Sequence, residues 1–600
     1  MVLARTVVLR CARSAGVGQH QRHVVVIPLV NHGHGAKVPL ALRALVIEQV
    51  IAEGTAPQEL AAAGDFEPLG GCFAGLELRH LSRRGHKREH YDVTVRSTKS
   101  LLSLLLVALP LGLVAGCRAA VPAELQWPVA QPPPLQASDP RLWVALGTRL
   151  GAGDAPQPLI LRSASGQISL RDSTGQRWHA SQLILRWQRS PLSQPLEIAR
   201  LVVGPFASFE TAERQAQIWR RLGVPVTLAQ PGDWELWAPP GSPLPPGWSA
   251  RELRQQHRER VQPLLVQPAR PPLALVGPVQ IEAPGGLRWQ GGVYGGPFRL
   301  QPDATGSWSL VEQVPLERYL EGVVPHEIGA DAPAEALAAQ TVLARTWALR
   351  NLHRYGADGY HLCATVQCQV YSDPRQAGSA VRQAIQRTRS QLLSWQGQPI
   401  HAVYHGSNGG VAAGLQEAWD AEPLPYLNSG LDRADAPLTA GSVPSVAAVL
   451  ASQQSLLGRQ HPLFRWSRLL DRDQLSQALA RRGLSVGAVQ RLTVLERGPS
   501  GRVLTLAVEG SQGRTTLRLD AIRRTLRQLP STLFELSSVG PGAWRVVGGG
   551  FGHGVGLSQA GAIDLGQRGW SYARILERYY PGTRLERLQQ LPPTPPGHDP

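Results

Sequence analysis

The chain has 600 residues, of which 43% are hydrophobic and 18% are charged, and its formal net charge is +17. This length exceeds what one hydrophobic core normally organises, and the composition excludes a wholly disordered chain, so we expect several folded domains. The 62 glycines and 50 prolines favour strands, turns and linkers over a helical bundle. The charge excess alone does not indicate a nucleic-acid partner, because the sequence shows no module that interleaves basic and aromatic residues.

The beginning of the chain differs in composition from the rest. All three lysines lie within residues 1–99, whereas all 16 tryptophans lie at or beyond Trp127. The first stretch also has clustered histidines and no clear periodicity. We therefore predict that residues 1–95 are a disordered leader or the product of a mis-called start, with the true start near Val93 or Val95.

A secretion signal is predicted at this junction. Arg96 and Lys99 precede an apolar run, 101–115, that is shorter than the roughly 20 residues a membrane-spanning helix needs. A basic start, a short apolar stretch and a small-residue exit are typical of a signal peptide, here 96–117. The exit VAGC resembles the lipobox of bacterial lipoproteins, which implies a lipid on Cys117 and an exported protein anchored to the membrane, in the periplasm or another extracytoplasmic space. An ordinary signal peptide with a chance cysteine is the alternative.

The next predicted segments are a Pro-rich tether (118–137), a small α+β region (138–240) and a linker (241–275). Within the linker, the charged stretch 250–262 is predicted to be helical. The composition of these segments indicates that a small module precedes a larger one.

One part of the small region has a distinct strand–helix–strand pattern. A strand is predicted at 200–206 and another at 224–228, and Ser208 can cap the helix between them. The apolar face of that helix consists of Ala212, Ala216, Trp219 and Leu222. The pattern over 196–238 resembles the SPOR domain, which binds peptidoglycan glycan strands stripped of their peptides. A small α+β spacer is the alternative.

The third region, 276–586, is predicted to mix strands and helices, and the tail 587–600 is predicted to be disordered. Val323 and Val324 are predicted to form a short buried segment that Pro325 breaks. Helices are predicted at 334–353, 472–482, 558–568 and 572–579. The predicted fold class is therefore α+β, with a mixed strand and helix domain after a small α+β module.

Four segments of this region carry the densest motifs. They are YLEGVVPHEIGADAPAEALAAQTVLARTWAL (319–349), HLCATVQCQVYSD (361–373), AVYHGSNGGVAAGLQEAW (402–419) and GGGFGHGVGLSQAGAIDLGQRGWSYARILERYYPGTRL (548–585). In this order they resemble the stage II sporulation protein D (SpoIID) family of lytic transglycosylases and its amidase-enhancer relatives. The resemblance implies cleavage of the bond between N-acetylmuramic acid and N-acetylglucosamine in peptide-free glycan strands, leaving 1,6-anhydro ends.

A lytic transglycosylase needs one carboxyl group, which first protonates the leaving oxygen and then accepts a proton from the muramoyl C6 hydroxyl. The resemblance assigns this role to Glu327, and an apolar surround would raise its pKa. His326 adjoins it. Glu317 and Glu321 are expected to be solvated, and Glu335 is expected to be structural.

The remaining residues that the resemblance assigns to the substrate cleft lie in three of the four segments. They are His326, Gln340, Arg345, Ser407, Asn408, Gly409, Gly410, His553 and Gln559. Buried hydrogen bonding that holds the fold is the alternative for the helix residues, and packing is the alternative for His553 and Gln559.

Two cysteines, Cys363 and Cys368, match a pair that holds a zinc ion in some family members. His361 and His405 would complete such a Cys/His set. In an exported protein a disulfide between the two cysteines is the alternative, and it is the one we favour. No cofactor is required for the reaction, so a zinc ion would be structural.

The predicted partners follow from these features. They are peptidoglycan glycan strands, an N-acetylmuramoyl-L-alanine amidase and, through the N-terminal lipid, a membrane. The alternative to a lytic transglycosylase is a non-catalytic glycan-binding protein that enhances an amidase. A hydrolase comes third, with products that are one water heavier.

Overall fold

The computed structural model describes residues 123–136, 140–438, 443–452 and 455–590. These residues belong to one unit by their contacts. The predicted leader, the signal peptide with Cys117 and most of the predicted tail lie outside the described residues. Within the described ranges, no helix is both long and apolar enough to cross a membrane.

The first half of the described chain is dominated by strands. Strands β1–β8 span Arg141–Leu150, Leu159–Ser163, Ile168–Arg171, Arg177–Ala180, Gln182–Phe206, Thr227–Ala229, Trp234–Ala238 and Arg251–Leu265. Strands β9–β14 span Leu273–Ala274, Val279–Glu282, Leu287–Trp289, Gly292–Tyr294, Phe298–Pro302 and Trp308–Pro315. Helix α1, Phe209–Arg220, lies between β5 and β6.

The second half alternates helices with short strands. Helices α2–α9 span Leu316–Val324, Ala334–Arg350, Ser379–Arg387, Val446–Ala451, Arg472–Ala480, Asp520–Thr525, Gln559–Gln567 and Tyr572–Tyr579. Strands β15–β21 span Leu362–Cys363, Gln391–Trp395, Gln398–Pro399, Tyr404–His405, Val411–Ala412, Gly430–Leu431 and Trp466–Asp471. Strands β22–β28 span Val489–Arg497, Val503–Gly510, Gly513–Arg518, Phe534–Gly540, Ala543–Gly548, Leu557–Ser558 and Arg584–Arg587. The predicted α+β class is confirmed by this mixture.

Two large sheets share strands from both sides of residue 276. One has seven strands in the order β15-β1-β14-β13-β10-β3-β4, and the other has eight, with β12-β11-β2-β5-β7-β6 as its main path and β8 paired to β5. The β1–β14 pair is antiparallel, with Leu142 opposite Val314. The strands before and after residue 276 therefore fold as one body of sheets.

Helix α1 forms as its sequence predicts. Ser208 is the N-cap, and its hydroxyl accepts a hydrogen bond from the Thr211 backbone N–H. Ala212, Ala216 and Trp219 are buried, which fixes the apolar face. Leu222 is 50% exposed because the helix ends at Arg220, before that residue.

The helix predicted at 250–262 is wrong. This stretch lies in β8, which pairs antiparallel with β5 from Arg251 opposite Val202 to Leu265 opposite Leu185. Its many charged residues remain largely exposed along the two-stranded ribbon. The residues of β5 that pair with this stretch lie more than 45 positions earlier in the chain, and charge composition alone does not reveal this pairing.

The described part of the predicted tether lies against the sheets. Glu124 forms a bridge with Ile198, and the Trp127 N–H donates to the Ala304 carbonyl at 3.3 Å. The Gln126 side chain donates to the Ala357 carbonyl at 2.9 Å. This stretch therefore follows the surface of the fold.

Helix α3 is the centre of the second half. Every residue from Ala336 to Ala348 is buried, which is typical of a helix surrounded by other elements on all sides. Strands β22–β24 form a separate sheet with its own apolar cluster, which includes Val489, Val503 and Leu517. The candidate site lies near the N-terminal end of α3.

Candidate active site

Glu327 lies in a short helical turn between α2 and α3. Helix α2 buries Leu320, Val323 and Val324, and the chain continues without a break into a π-helical turn, Pro325–Gly329. The α-helix therefore ends at Val324, directly before Pro325 as predicted, and proline is tolerated in the first turn of the π-helical segment that follows. Gly329, with φ of 89°, ends the turn. Glu327 is half-buried at this point, between the buried residues Pro325 and Ile328.

The Glu327 carboxyl is held by groups from two other segments. Its Oε1 accepts a hydrogen bond from the Val370 backbone N–H at 2.8 Å. The Tyr404 hydroxyl lies within hydrogen-bonding reach of the same carboxyl. These contacts bring together the first, second and third sequence segments.

Tyr404 is part of a buried group of polar side chains. Its hydroxyl is 2.7 Å from Oε1 of Gln369, and Nε2 of Gln369 donates to the Tyr319 hydroxyl at 3.3 Å. Burial, followed by the charge of Glu327, raises the pKa of Tyr404 well above its ordinary value. Burial likewise raises the pKa of Tyr319. Both phenols therefore act as neutral hydroxyls.

His326 lies beside Glu327 and is neutral. Burial lowers the pKa of His326, and the nearby Asp373 opposes that effect. Its Nε2 is buried and has no hydrogen-bond partner among the described residues.

Arg345 has a structural environment. It is fully buried, and its guanidinium donates to both oxygens of Glu317, at 3.0 and 2.7 Å, and to the Gln391 carbonyl at 2.9 Å. The expectation that Glu317 is solvated is therefore wrong, because Glu317 is the partner of a buried arginine. Glu321 pairs with Arg318.

Gln340 and Gln559 join α3 to α8. Gln559 Nε2 donates to Gln340 Oε1 at 3.3 Å, and Gln340 Nε2 is buried without a partner among the described residues. Glu335, at the start of α3, accepts hydrogen bonds from Arg387 and from the Tyr572 N–H, both at 2.7 Å. Glu335 is structural, as its position predicts.

The turn of Ser407, Asn408, Gly409 and Gly410 is buried. Asn408 donates to Asp432 at 2.8 Å, and its Oδ1 accepts the Gly410 N–H at 2.8 Å. A Cβ on Gly409 would come within 2.6 Å of the Gly549 backbone, so two glycine-rich segments cross in contact here.

Arginine side chains from later in the chain fix the same turn. Arg502, which is fully buried, donates to the Asn408 carbonyl at 3.0 Å, and Arg465 donates to the Gly409 carbonyl at 2.8 Å. These hydrogen bonds therefore give the turn a structural role.

His553 supports Tyr404 from behind. Its Nε2 donates to the Tyr404 carbonyl at 2.8 Å, and its Nδ1 accepts the Val555 N–H at 3.1 Å. Burial lowers the pKa of His553 to about 3, so the ring is neutral. Both ring nitrogens therefore form hydrogen bonds within the protein. The centroid of the imidazole ring lies 4.8 Å from the ring centroid of Trp419.

The four predicted metal ligands do not fit a zinc ion. Cys363 and Cys368 have Cα atoms 5.7 Å apart and are joined by a disulfide. His361 Nδ1 accepts the Trp143 N–H at 3.0 Å, and His405 lies on β18, where its Nδ1 contacts the Val555 carbonyl. Within the described ranges, no three His, Cys, Asp or Glu side chains gather closely enough to hold a metal.

Tyr404, Gln369, Tyr319 and the Val370 N–H were not identified from the sequence. Gln369 and Val370 lie inside the second segment and Tyr404 inside the third, directly before His405. The sequence signal for these residues is their position inside the first, second and third segments.

Two families match parts of the chain. Residues 304–395 match the family described as Stage II sporulation protein. Residues 413–556 match a domain of unknown function, DUF8618. The first range includes Glu327, Gln369 and Val370, and the second includes the arginines that fix the buried turn.

Three relatives have recognisable sequence similarity. The amidase enhancer of Bacillus subtilis (strain 168) is 30% identical over 305 residues, which cover 44% of this chain and 40% of the relative. Stage II sporulation protein D of Bacillus amyloliquefaciens is 28% identical over 296 residues, 47% of this chain and 77% of the relative. An uncharacterized protein of Brachyspira hyodysenteriae (strain ATCC 49526 / WA1) is 28% identical over 284 residues, 46% of this chain and 68% of the relative.

The family match covers the first two of the four segments, 319–349 and 361–373. Glu327 and Val370 lie within the matched range, and Tyr404 lies just after it. Glu327 precedes the N-terminal end of the buried helix α3. Residues 304–395 therefore form a domain of the stage II sporulation protein family, and the chain is similar to stage II sporulation protein D and to an amidase enhancer.

Proposed function

We propose that this chain is a peptidoglycan lytic transglycosylase that acts on glycan strands, with Glu327 as its single catalytic acid and base. The observation that carries the proposal is the position of Glu327. It is half-buried on a helical turn, and its Oε1 is fixed by the Val370 N–H at 2.8 Å. A carboxyl held in this way keeps one orientation while remaining accessible to substrate.

The reaction balances with this one group. Glu327 donates its proton to the glycosidic oxygen as the bond between muramoyl C1 and that oxygen breaks. The muramoyl C6 hydroxyl then bonds to C1 and returns its proton to the Glu327 carboxylate. No water is consumed, and the product carries a 1,6-anhydro ring.

The surroundings of Glu327 support this chemistry. Tyr404 and Tyr319 are neutral hydroxyls beside it, and the neutral His326 carries an unpartnered Nε2. Because these groups are neutral, they do not compete for the proton that is transferred.

The test is the release of anhydro-ended sugars from purified, peptide-free glycan strands. Wild type should release them, and Glu327→Gln should reduce the rate by at least about 1,000-fold, because an amide cannot supply the proton. The matched control is Glu321→Gln on α2, whose partner is Arg318, and its rate should equal that of wild type. Products one water heavier would instead identify a hydrolase.

The second candidate function rests on the amidase-enhancer relative. In that case wild type releases no anhydro sugars but increases the rate of an N-acetylmuramoyl-L-alanine amidase on intact peptidoglycan. Export, the lipid on Cys117 and glycan binding by the SPOR-like segment are proposed as parts of either role.

A further inference from the structure

Gln369 lies behind Tyr404 and has a fixed orientation. It is 1% exposed, and its Nε2 is 3.2 Å from the Ala344 carbonyl oxygen. Because a carbonyl oxygen can only accept hydrogen bonds, the nitrogen of the amide must face Ala344. The amide oxygen consequently faces Tyr404.

The orientation of Gln369 gives the Tyr404 proton a second acceptor besides Glu327. The Tyr404 hydroxyl is 2.7 Å from Gln369 Oε1, which can only accept, and when Glu327 is protonated Tyr404 donates its one proton to Gln369. The hydroxyl then presents its lone pairs to Glu327. A carboxylate cannot donate to those lone pairs, whereas a protonated carboxyl group can.

We propose that Gln369 is a positioning residue that turns the Tyr404 hydroxyl so that it favours the protonated form of Glu327. This inference rests on the proposed function, in which Glu327 must carry a proton when the substrate binds. Gln369 touches neither substrate nor Glu327 in this scheme, and it acts only through Tyr404.

The same arrangement suits the second half of the reaction. Once Glu327 has given its proton to the leaving oxygen, the Tyr404 hydroxyl can rotate and donate to the new carboxylate. When the C6 hydroxyl returns a proton to Glu327, the Tyr404 proton turns back to Gln369 Oε1. The Val370 N–H holds Oε1 of Glu327 throughout, and no proton is gained or lost over the cycle.

The tyrosines and the histidine around Glu327 do not change their charge near neutral pH. Tyr319 from α2 and Tyr404 from β18 face it directly, and His326 adjoins it along the chain. Behind them, Asp373 acts on His326 and Tyr580 acts on Tyr404. Burial raises the pKa of each of the three tyrosines and lowers that of His326, so near neutral pH the tyrosines and His326 stay uncharged.

The test is the pH dependence of anhydro-sugar release by Gln369→Leu and by Gln369→Met. Either change frees the Tyr404 proton to donate to Glu327, which stabilises the carboxylate. Because activity is lost as pH rises through the pKa of Glu327, the alkaline limb should move down by about one pH unit. The matched control is Gln301→Leu, another buried glutamine that bonds the Gly359 carbonyl, and its limb should match wild type.

A double-mutant comparison separates positioning from a general structural effect. In a Tyr404→Phe background there is no hydroxyl to turn, so Gln369→Leu should cause no further shift of the limb. An unchanged limb in both single variants overturns the inference. So does a shift that is equally large in the Tyr404→Phe background.

A second readout keeps the inference separate from the proposed function. The Glu327 carboxyl stretch can be titrated by infrared difference spectroscopy, with the band assigned by its loss in Glu327→Gln. Wild type that releases no anhydro sugars would overturn the proposed function alone. The inference about Gln369 fails if its variants leave the infrared midpoint of Glu327 unchanged.

Discussion

Replacing Arg345 with Met tests whether this side chain holds the fold or the substrate. Arg345 is fully buried and donates three hydrogen bonds, two to Glu317 and one to the Gln391 carbonyl. Removing one partner of a buried ion pair costs about 3–5 kcal/mol of unfolding free energy. The Glu317 side chain keeps 19% exposure and a contact with the Ser390 N–H at 3.3 Å, so we expect the lower end, about 3 kcal/mol.

The measurement is urea unfolding followed by tryptophan fluorescence. Arg387→Met is the matched control, because Arg387 also pairs with a glutamate but its side chain is 45% exposed, and it should cost less than about 1 kcal/mol. Changing Glu317 to Leu together with Arg345→Met should recover part of the loss, since no unpaired charge then remains. An Arg345→Met protein that is as stable as wild type but binds glycan strands at least tenfold more weakly would refute the structural role.

Three further predictions concern stability. The unfolding free energy should fall as pH drops below about 6.5, because burial lowers the pKa of His553 to about 3 while the unfolded chain binds the proton. His553→Gln, which does not titrate, should reduce that slope by up to about 1.4 kcal/mol per pH unit, measured by urea unfolding at each pH. Changing Cys363 and Cys368 to Ser should cost about 2 kcal/mol for so short a loop, and reduction of wild type should cost the same. Ser208→Ala should cost about 1 kcal/mol in thermal unfolding.

Features that depend on neighbouring residues were predicted well from the sequence. The N-cap Ser208 lies three residues before Thr211, whose N–H donates a hydrogen bond to the serine hydroxyl. Helix α1 ends just before Gly223. Helix α3 begins at Ala334, directly after a proline, as predicted. Because these signals are local, their physical cause is visible in a few consecutive residues.

Features that depend on distant partners were not predicted. Arg345 was placed in the cleft because its partner Glu317 lies 28 positions earlier and on a separate helix. The charged stretch of β8 was taken for a helix because its pairing strand, β5, is not apparent from composition. Tyr404 gained its position beside Glu327 only through tertiary packing, and nothing in its immediate sequence indicates this.

The hydrogen bond from His553 to the Tyr404 carbonyl has a consequence for how the protein is made. The two residues are 149 positions apart, and the bond is 2.8 Å long. During synthesis Glu327 and Tyr404 leave the ribosome well before His553 does. A nascent or truncated chain can therefore contain the acid and its tyrosine without the histidine that fixes the tyrosine backbone. The assembled site therefore depends on nearly the whole chain having been completed.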